Sequence, residues 1–320
     1  MAKRRLRKIR KKETRKKAAQ PIHAEEEKEA VEEKGFAAFY EKNYKRLLII
    51  PFVILLLAFV QIGYQLATTG DFVTRGVSLK GGVTVTVPTE DLAPEELSSM
   101  LQGSIDLSQI NIRRIGTPGA QSALAVESLL EEPDMLVDLI EEKTGLDSST
   151  YSIDVIGSSL GASFFRDIMF ALGLAFVFMG VTVFLYFRTF VPSIAVILAA
   201  FSDLVTTLAI TNVLEIRLST AGIAAFLMLI GYSIDTDILL STRLLKRKEG
   251  SLLERMLQSA KTGLTMSMST IVAVLIVLTF SNSETLSQIM TILLIGLLVD
   301  LIYTWLQNAG ILKYYLDNRR

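Results

Sequence analysis

Long apolar runs alternate with polar stretches along this chain. A helix crossing the hydrocarbon core of a bilayer needs about 20 mostly apolar residues. Six stretches qualify: 47–66, 164–187, 190–214, 219–241, 263–281 and 285–306. The first is too long, and its basic preface too extended, for a cleaved signal segment, so it reads as an anchor. The pattern predicts a polytopic α-helical membrane protein with six transmembrane helices.

Residues 67–163 follow other periods. VTVTV at 83–87 alternates with period two and predicts a strand. The segment 94–102, opening on Pro94, predicts a helix. Strands are expected at 111–116, 122–128 and 151–157, with a turn at 117–120. An amphipathic helix is expected at 133–145, with Pro133 at its start and Gly145 at its end. The order β-α-β-β-α-β is the split βαβ pattern, so an α+β ferredoxin-like unit is expected between the first and second spans. Helices cover one face of such a sheet. The other face either docks a domain or an extended polypeptide, or belongs to a plain spacer.

Charge sets the expected orientation. Residues 1–46 hold 16 Lys and Arg, whereas 67–163 hold 5 against 15 Asp and Glu. The basic end belongs on the cytoplasmic side and the acidic segment outside. The basic loop at 243–251 and Lys313, Arg319 and Arg320 then fall inside as well. The expected divisions are a cytoplasmic charged arm (1–46), the first span (47–66), an extracytoplasmic unit (67–163), a five-helix bundle (164–306) and a cytoplasmic tail (307–320). Residues 1–17, with 11 Lys and Arg, read as a solvated topology determinant; contact with anionic lipid or ribosomal RNA is the other reading.

Composition removes whole classes of chemistry. Half of the 320 residues are hydrophobic and none is Cys, so disulfides, thiolate metal sites and Cys nucleophiles are excluded. The single His, His23, lies in the charged arm, which argues against His-based metal sites and a Ser–His–Asp triad. No P-loop pattern occurs. No enzyme, metal or cofactor is expected, and no specific nucleic-acid partner.

Four carboxylates fall inside predicted spans: Asp203, Asp235, Asp237 and Asp300. Each charge costs about 2.5–3.5 kcal/mol at a helix centre, or roughly 10–14 kcal/mol together if ionised and unpaired. Such groups must pair, take up protons or line water. Asp235 and Asp300 each lie six residues from the inner end of their predicted span, so they are expected to share a layer. Asp235 and Asp237 point about 160° apart on a helix, so only one can face the bundle. Lys261 opens the fifth span and is placed to reach a carboxylate; Thr262, Thr265 and Ser269 share a face and read as a polar wall or as ordinary helix packing. The carboxylates read either as a proton relay or as interhelical hydrogen bonds. Small residues (Ala221, Gly222, Ala224, Ala225, Gly231) suggest close packing of the fourth span, and Trp305 an interfacial belt.

One anchor, a ferredoxin-like unit and five further spans form a layout that resembles the SecF family of protein-export membrane subunits, RND-like in organisation. Three motifs support the resemblance. RGVSLKGG, with Gly76, Gly81 and Gly82, resembles the GIDFTGG-type motif after the first span. VIGSSLGASF, with Gly157 and Gly161, resembles the motif leading into the second span. GYSIDTDILLSTRLL, with Gly231, Tyr232 and Ser233, resembles the fourth-span GYSINDT stretch. Ser78 and Leu79 replace an Asp and an aromatic, the fourth-span Asp is displaced, and Lys261 stands where many bacterial relatives have Arg; these departures resemble the archaeal branch.

The resemblance implies a SecD-type partner, a SecYE-type channel, unfolded secretory polypeptide as cargo and membrane lipid around the bundle. It implies an accessory subunit of the cytoplasmic-membrane export machinery, coupled in the bacterial branch to the proton-motive force. An RND-type exporter of lipid or small molecules, or a non-transporting scaffold, is the rival reading.

Overall fold

A computed structural model describes residues 40–89, 92–102, 110–115, 123–129, 132–246, 250–281 and 283–318. The basic arm at 1–17, His23, the turn at 117–120, Arg319 and Arg320 lie outside the described residues.

Six helices are long and apolar enough to cross a membrane among the described residues. The first span runs Tyr40–Thr69, and its main helix is α1 (Ile49–Thr69). After the short α2 (Val77–Lys80) come β1 (Gly82–Pro88), α3 (Pro94–Leu101), β2 (Ile110–Ile115), β3 (Ala123–Ser128), α4 (Pro133–Thr144) and β4 (Ser152–Ile156). The remaining spans are α5 (Ser158–Phe187), α6 (Phe190–Val213), α7 (Thr220–Lys246), α8 (Leu252–Phe280) and α9 (Glu284–Ile302). A π-helical segment, Tyr303–Asn308, joins α9 to α10 (Ala309–Asp317) in one continuous rod.

The strands form an antiparallel sheet in the order β2-β3-β1-β4. Val85 of β1 sits opposite Val126 of β3 and Ile153 of β4. Period-two alternation turns Val83, Val85 and Val87 to one face, where Leu97 and Leu101 of α3 and Leu136 and Ile140 of α4 cover them; all are essentially inaccessible. Proline in the first turn starts α3 and α4, and Gly145 ends α4 in the left-handed region, donating its N–H to Glu141 O. β4 is an edge strand whose side chains face outward on both sides.

The spans sort by burial. α6, α7 and the α9 rod form the centre of the bundle, while α1, α5 and α8 present mostly exposed apolar side chains. Several span boundaries differ from the sequence reading, two of them by about three turns. The fifth helix starts at Leu252 rather than at 263, because Ser251 and Glu254 close a capping box. The sixth does not end at 306 but runs on to Asp317 through the π segment. Trp305 is partly buried: it packs with Tyr40 and Leu240, and its ring lies against Gly263.

Candidate functional site

Polar residues in α6, α7 and the α9 rod are spaced to line up inside the bundle. Ser202, Asp203, Thr206 and Thr207 fall on the buried side of α6. Ser233, Asp237 and Ser241 recur every four residues on α7. Asp300 and Thr304 continue the same spacing on the third helix, and Gln307 and Asn308, within the π segment, are buried on the same side. Such wide turns recur at functional positions because one extra residue re-aims the side chains that follow.

Asp203, Asp237 and Asp300 converge here, at 0%, 0% and 2% exposure, close enough for their charges to interact. The Thr304 hydroxyl bridges two of them, 3.0 Å from Asp237 Oδ1 and 3.1 Å from Asp300 Oδ1. A hydroxyl has a single proton, so it satisfies one carboxylate by donating, and the other only by accepting a hydrogen bond from that carboxyl when it is protonated. Asn308 Nδ2 donates to Asp237 Oδ1 at 2.7 Å. Around them, Gln307 Nε2 donates to Ser202 Oγ at 3.2 Å, and the Thr206 and Tyr303 hydroxyls meet at 2.6 Å. The Ser233 hydroxyl faces Asp203 and Asp300 without reaching hydrogen-bond geometry. Both Asp203 oxygens, Asp237 Oδ2 and Ser241 Oγ are buried without a hydrogen-bond partner among the described residues. No ion pair reaches the three carboxylates among those residues either. A set of buried acidic oxygens without a fixed cation is suited to holding and exchanging a mobile positive charge. No group of His, Cys, Asp or Glu among the described residues is placed to hold a metal ion.

Other sequence candidates lie elsewhere. Asp235 is exposed on the opposite side of α7, so the expected layer of Asp235 with Asp300 does not form; Asp237 takes that place. Lys261 is exposed and pairs with no carboxylate among the described residues. Thr262, Thr265 and Ser269 form no wall opposite the carboxylates: their hydroxyls donate back to the carbonyls of Gln258, Lys261 and Thr265. Gly231 and Tyr232 are exposed, whereas Ser233 is buried. The residues that sequence reasoning missed are Thr304, Gln307 and Asn308; the polar letters in YTWLQN were the available signal.

The glycine motifs fasten the sheet unit to the bundle. Gly81 and Gly82 adopt φ of 90° and 137°. A Cβ on Gly81 would lie 2.5 Å from Ser158 Cα, and one on Gly82 would overlap Ser128 O. A Cβ on Gly161 would lie 2.6 Å from Gly81 N, so the first two motifs meet backbone to backbone. Gly157, exposed, is the N-cap of α5. Gly76 N–H donates to Leu218 O and Leu218 N–H donates to Thr74 O, both at 2.8 Å. Asn212 at the end of α6 completes the clasp, accepting from Thr74 N–H and donating to Phe72 O.

The family model described as "Protein export membrane protein SecD/SecF, C-terminal" matches residues 137–318. A protein-export membrane protein SecF from Methanocaldococcus jannaschii is 37% identical over 292 residues, covering 87% of this chain and 98% of that one. Its counterpart from Pyrococcus furiosus is 34% identical over 279 residues, covering 87% and 93%. The fold is similar to that of SecDF, a translocon-associated membrane protein from Thermus thermophilus, with a TM-score of 0.64 at 18% identity; the match covers 87% of this chain but 38% of that one. By its family match and its archaeal relatives, the chain belongs to the SecD/SecF family of protein-export membrane proteins.

Proposed function

We propose that this chain is a SecF-type accessory subunit of protein export, acting with a SecD-type partner at a SecYE-type channel to help unfolded polypeptide cross the cytoplasmic membrane. The ferredoxin-like unit within 67–163 stands outside the cell and handles emerging chain; the arm at 1–46 and the tail at 307–320 stand inside. The Lys and Arg asymmetry supports this orientation.

The observation that carries the reading is the convergence of Asp203, Asp237 and Asp300 around Thr304. A proton entering this cluster changes which carboxylate Thr304 serves and so alters the attraction between α7 and the α9 rod. One charge moving through 100 mV releases about 2.3 kcal/mol, enough to shift a two-state equilibrium by tens-fold. The buried polar face of α6 leads from Asp203 to Asn212, which grips the backbone of Phe72 and Thr74, so a change at the cluster has a route to the outer unit.

Replacing Asp237 or Asp203 by Asn tests this. The expected result is unchanged accumulation of the membrane complex with export of secreted proteins lowered about tenfold or more. The hydrogen bonds from Thr304 and Asn308 favour a second reading, a purely interhelical hydrogen-bond hub. That reading expects the opposite: less stable protein, with export per folded molecule intact.

A further inference from the structure

The clasp between the sheet unit and the bundle borders a cavity that the carboxylate cluster does not use. Its walls include Phe72 of the clasp, Phe165, Met169 and Leu172 of α5, Leu208 of α6 and Phe226 of α7. The lining is almost wholly apolar and encloses about 120 Å³. An apolar cavity of similar size, about 150 Å³, stays free of water and takes an apolar guest. The α5 and α6 side chains in these walls are only half-buried, so the cavity opens to the outside of the bundle. Leu208 lies five residues before the end of α6 at Val213, about 8 Å along the axis. Half of a hydrocarbon core is about 15 Å thick, so the cavity lies within the leaflet on the sheet unit's side.

Cations ring its polar end. The Arg75 guanidinium lies 4.8 Å from the centre of the Phe165 ring, and that ring meets Phe72 at 5.8 Å. Asp71 accepts from Arg75 Nη2, and Lys80 Nζ lies 3.9 Å from the same carboxylate. Arg75 Nε stays buried without a hydrogen-bond partner among the described residues, so the guanidinium keeps an unanswered donor. Lys80 is half-exposed; Arg166, beside Phe165, is exposed and stands 3.7 Å from Asp167. These three cations meet two carboxylates, which leaves the rim one anion short.

We infer that this cavity seats one hydrocarbon chain of a phospholipid from the leaflet on the sheet unit's side, with the lipid phosphate held at the rim by Arg75, Lys80 and Arg166. Size favours that occupant over a helix of cargo or of another subunit. A helix with its side chains is about 10–12 Å across, far too wide for this space, whereas a single chain fits. Charge favours it too: a phosphate sits where the hydrocarbon ends, and guanidinium groups bind phosphate strongly. Phe72 and Val73 run directly into Thr74 and Gly76, so the seated chain braces the clasp that fastens the sheet unit. The inference does not depend on the SecD-type partnership.

The test places the full chain in phosphatidylcholine vesicles with a minor fraction of phosphatidylglycerol that carries a photoreactive group on one acyl chain. Phe170, exposed next to Met169 on α5, is the control for ordinary lipid contact. Labelling of Leu208 is expected to exceed that of Phe170 about tenfold or more. Equal labelling at the two positions overturns the inference. Leu172→Trp fills the cavity and is expected to lower labelling of Leu208 about tenfold while that of Phe170 stays. Undiminished labelling of Leu208 in this variant overturns the seat. A photoreactive diacylglycerol, which lacks the phosphate, is the second probe on the unaltered chain. It is expected to label Leu208 about tenfold less than phosphatidylglycerol does, and Arg75→Gln should bring phosphatidylglycerol down towards that level. Equal labelling by the two lipids overturns the role of the cationic rim.

Discussion

The sheet unit and the helical bundle solve opposite problems. In the sheet unit the packed core is apolar: Val85, Leu97, Leu124 and Ile140 are inaccessible, and the one buried charged side chain among its described residues, Glu127, is paired with Arg113 at 2.8 Å. In the bundle the centre holds Asp203, Asp237, Asp300, Gln307 and Asn308, and the outside is Phe, Val and Leu. Water drives the first arrangement by expelling hydrocarbon. Lipid gives no such drive between helices, so the second is held by packing of small residues and by buried hydrogen bonds. Single substitutions should therefore cost more in the sheet unit, yet matter more to activity in the bundle.

The largest loss is expected for Gly82→Ala. The new Cβ meets Ser128 O in a backbone conformation that alanine resists, and the expected cost is about 5 kcal/mol, read as loss of folded protein in detergent. Leu124→Ala opens a cavity in the same unit and should cost about 2–5 kcal/mol by urea unfolding. Gly263→Ala pushes a methyl into the Trp305 ring in the bundle, at a cost of about 1–3 kcal/mol visible as a lower thermal midpoint. Thr304→Val removes the bridge between Asp237 and Asp300; about 0.6–1.7 kcal/mol of stability is expected to go, with a larger loss of export than Gly263→Ala causes. If Thr304→Val proved costlier to stability than Leu124→Ala, the contrast between the two regions would fail.

The smallest effect belongs to Asp147, which accepts from Ser149 N–H at the start of a short 3-10 turn before β4. That backbone bond holds its carboxyl below the usual carboxylate value. A lowered folded value means the stabilisation is present above the unfolded value and fades as pH falls through the folded one. Asp147→Asn should flatten this acid limb in a pH series of melting curves and change little near neutrality.

The sequence was most legible where water imposed a period. Strands expected at 83–87 and 151–157 occupy Gly82–Pro88 and Ser152–Ile156, and both helices of the unit begin at the expected prolines. The existence of the spans was equally plain, but which side of each faces inward was not. A membrane helix is apolar all round, so the rotation that buries Asp237 and exposes Asp235 leaves little trace in hydrophobicity. The π segment itself left no such trace, although Thr304, Gln307 and Asn308 stand at i+4, i+7 and i+8 from Asp300, a spacing that places them on one side of a regular helix as well. The capping box that begins α8 was readable from Ser251 and Glu254, and its omission moved Lys261 to a false helix end.

Between Ile156 and Ser158 there is one residue, Gly157, so the sheet's edge and the 30-residue α5 meet almost without slack. The close approach of Gly81 to Gly161 stiffens the joint further. A rod of that length is about 45 Å long, and a five-degree tilt displaces one end relative to the other by about 4 Å. A small rocking of the second span within the hydrocarbon would therefore become a stroke of atomic-contact size where β4 ends.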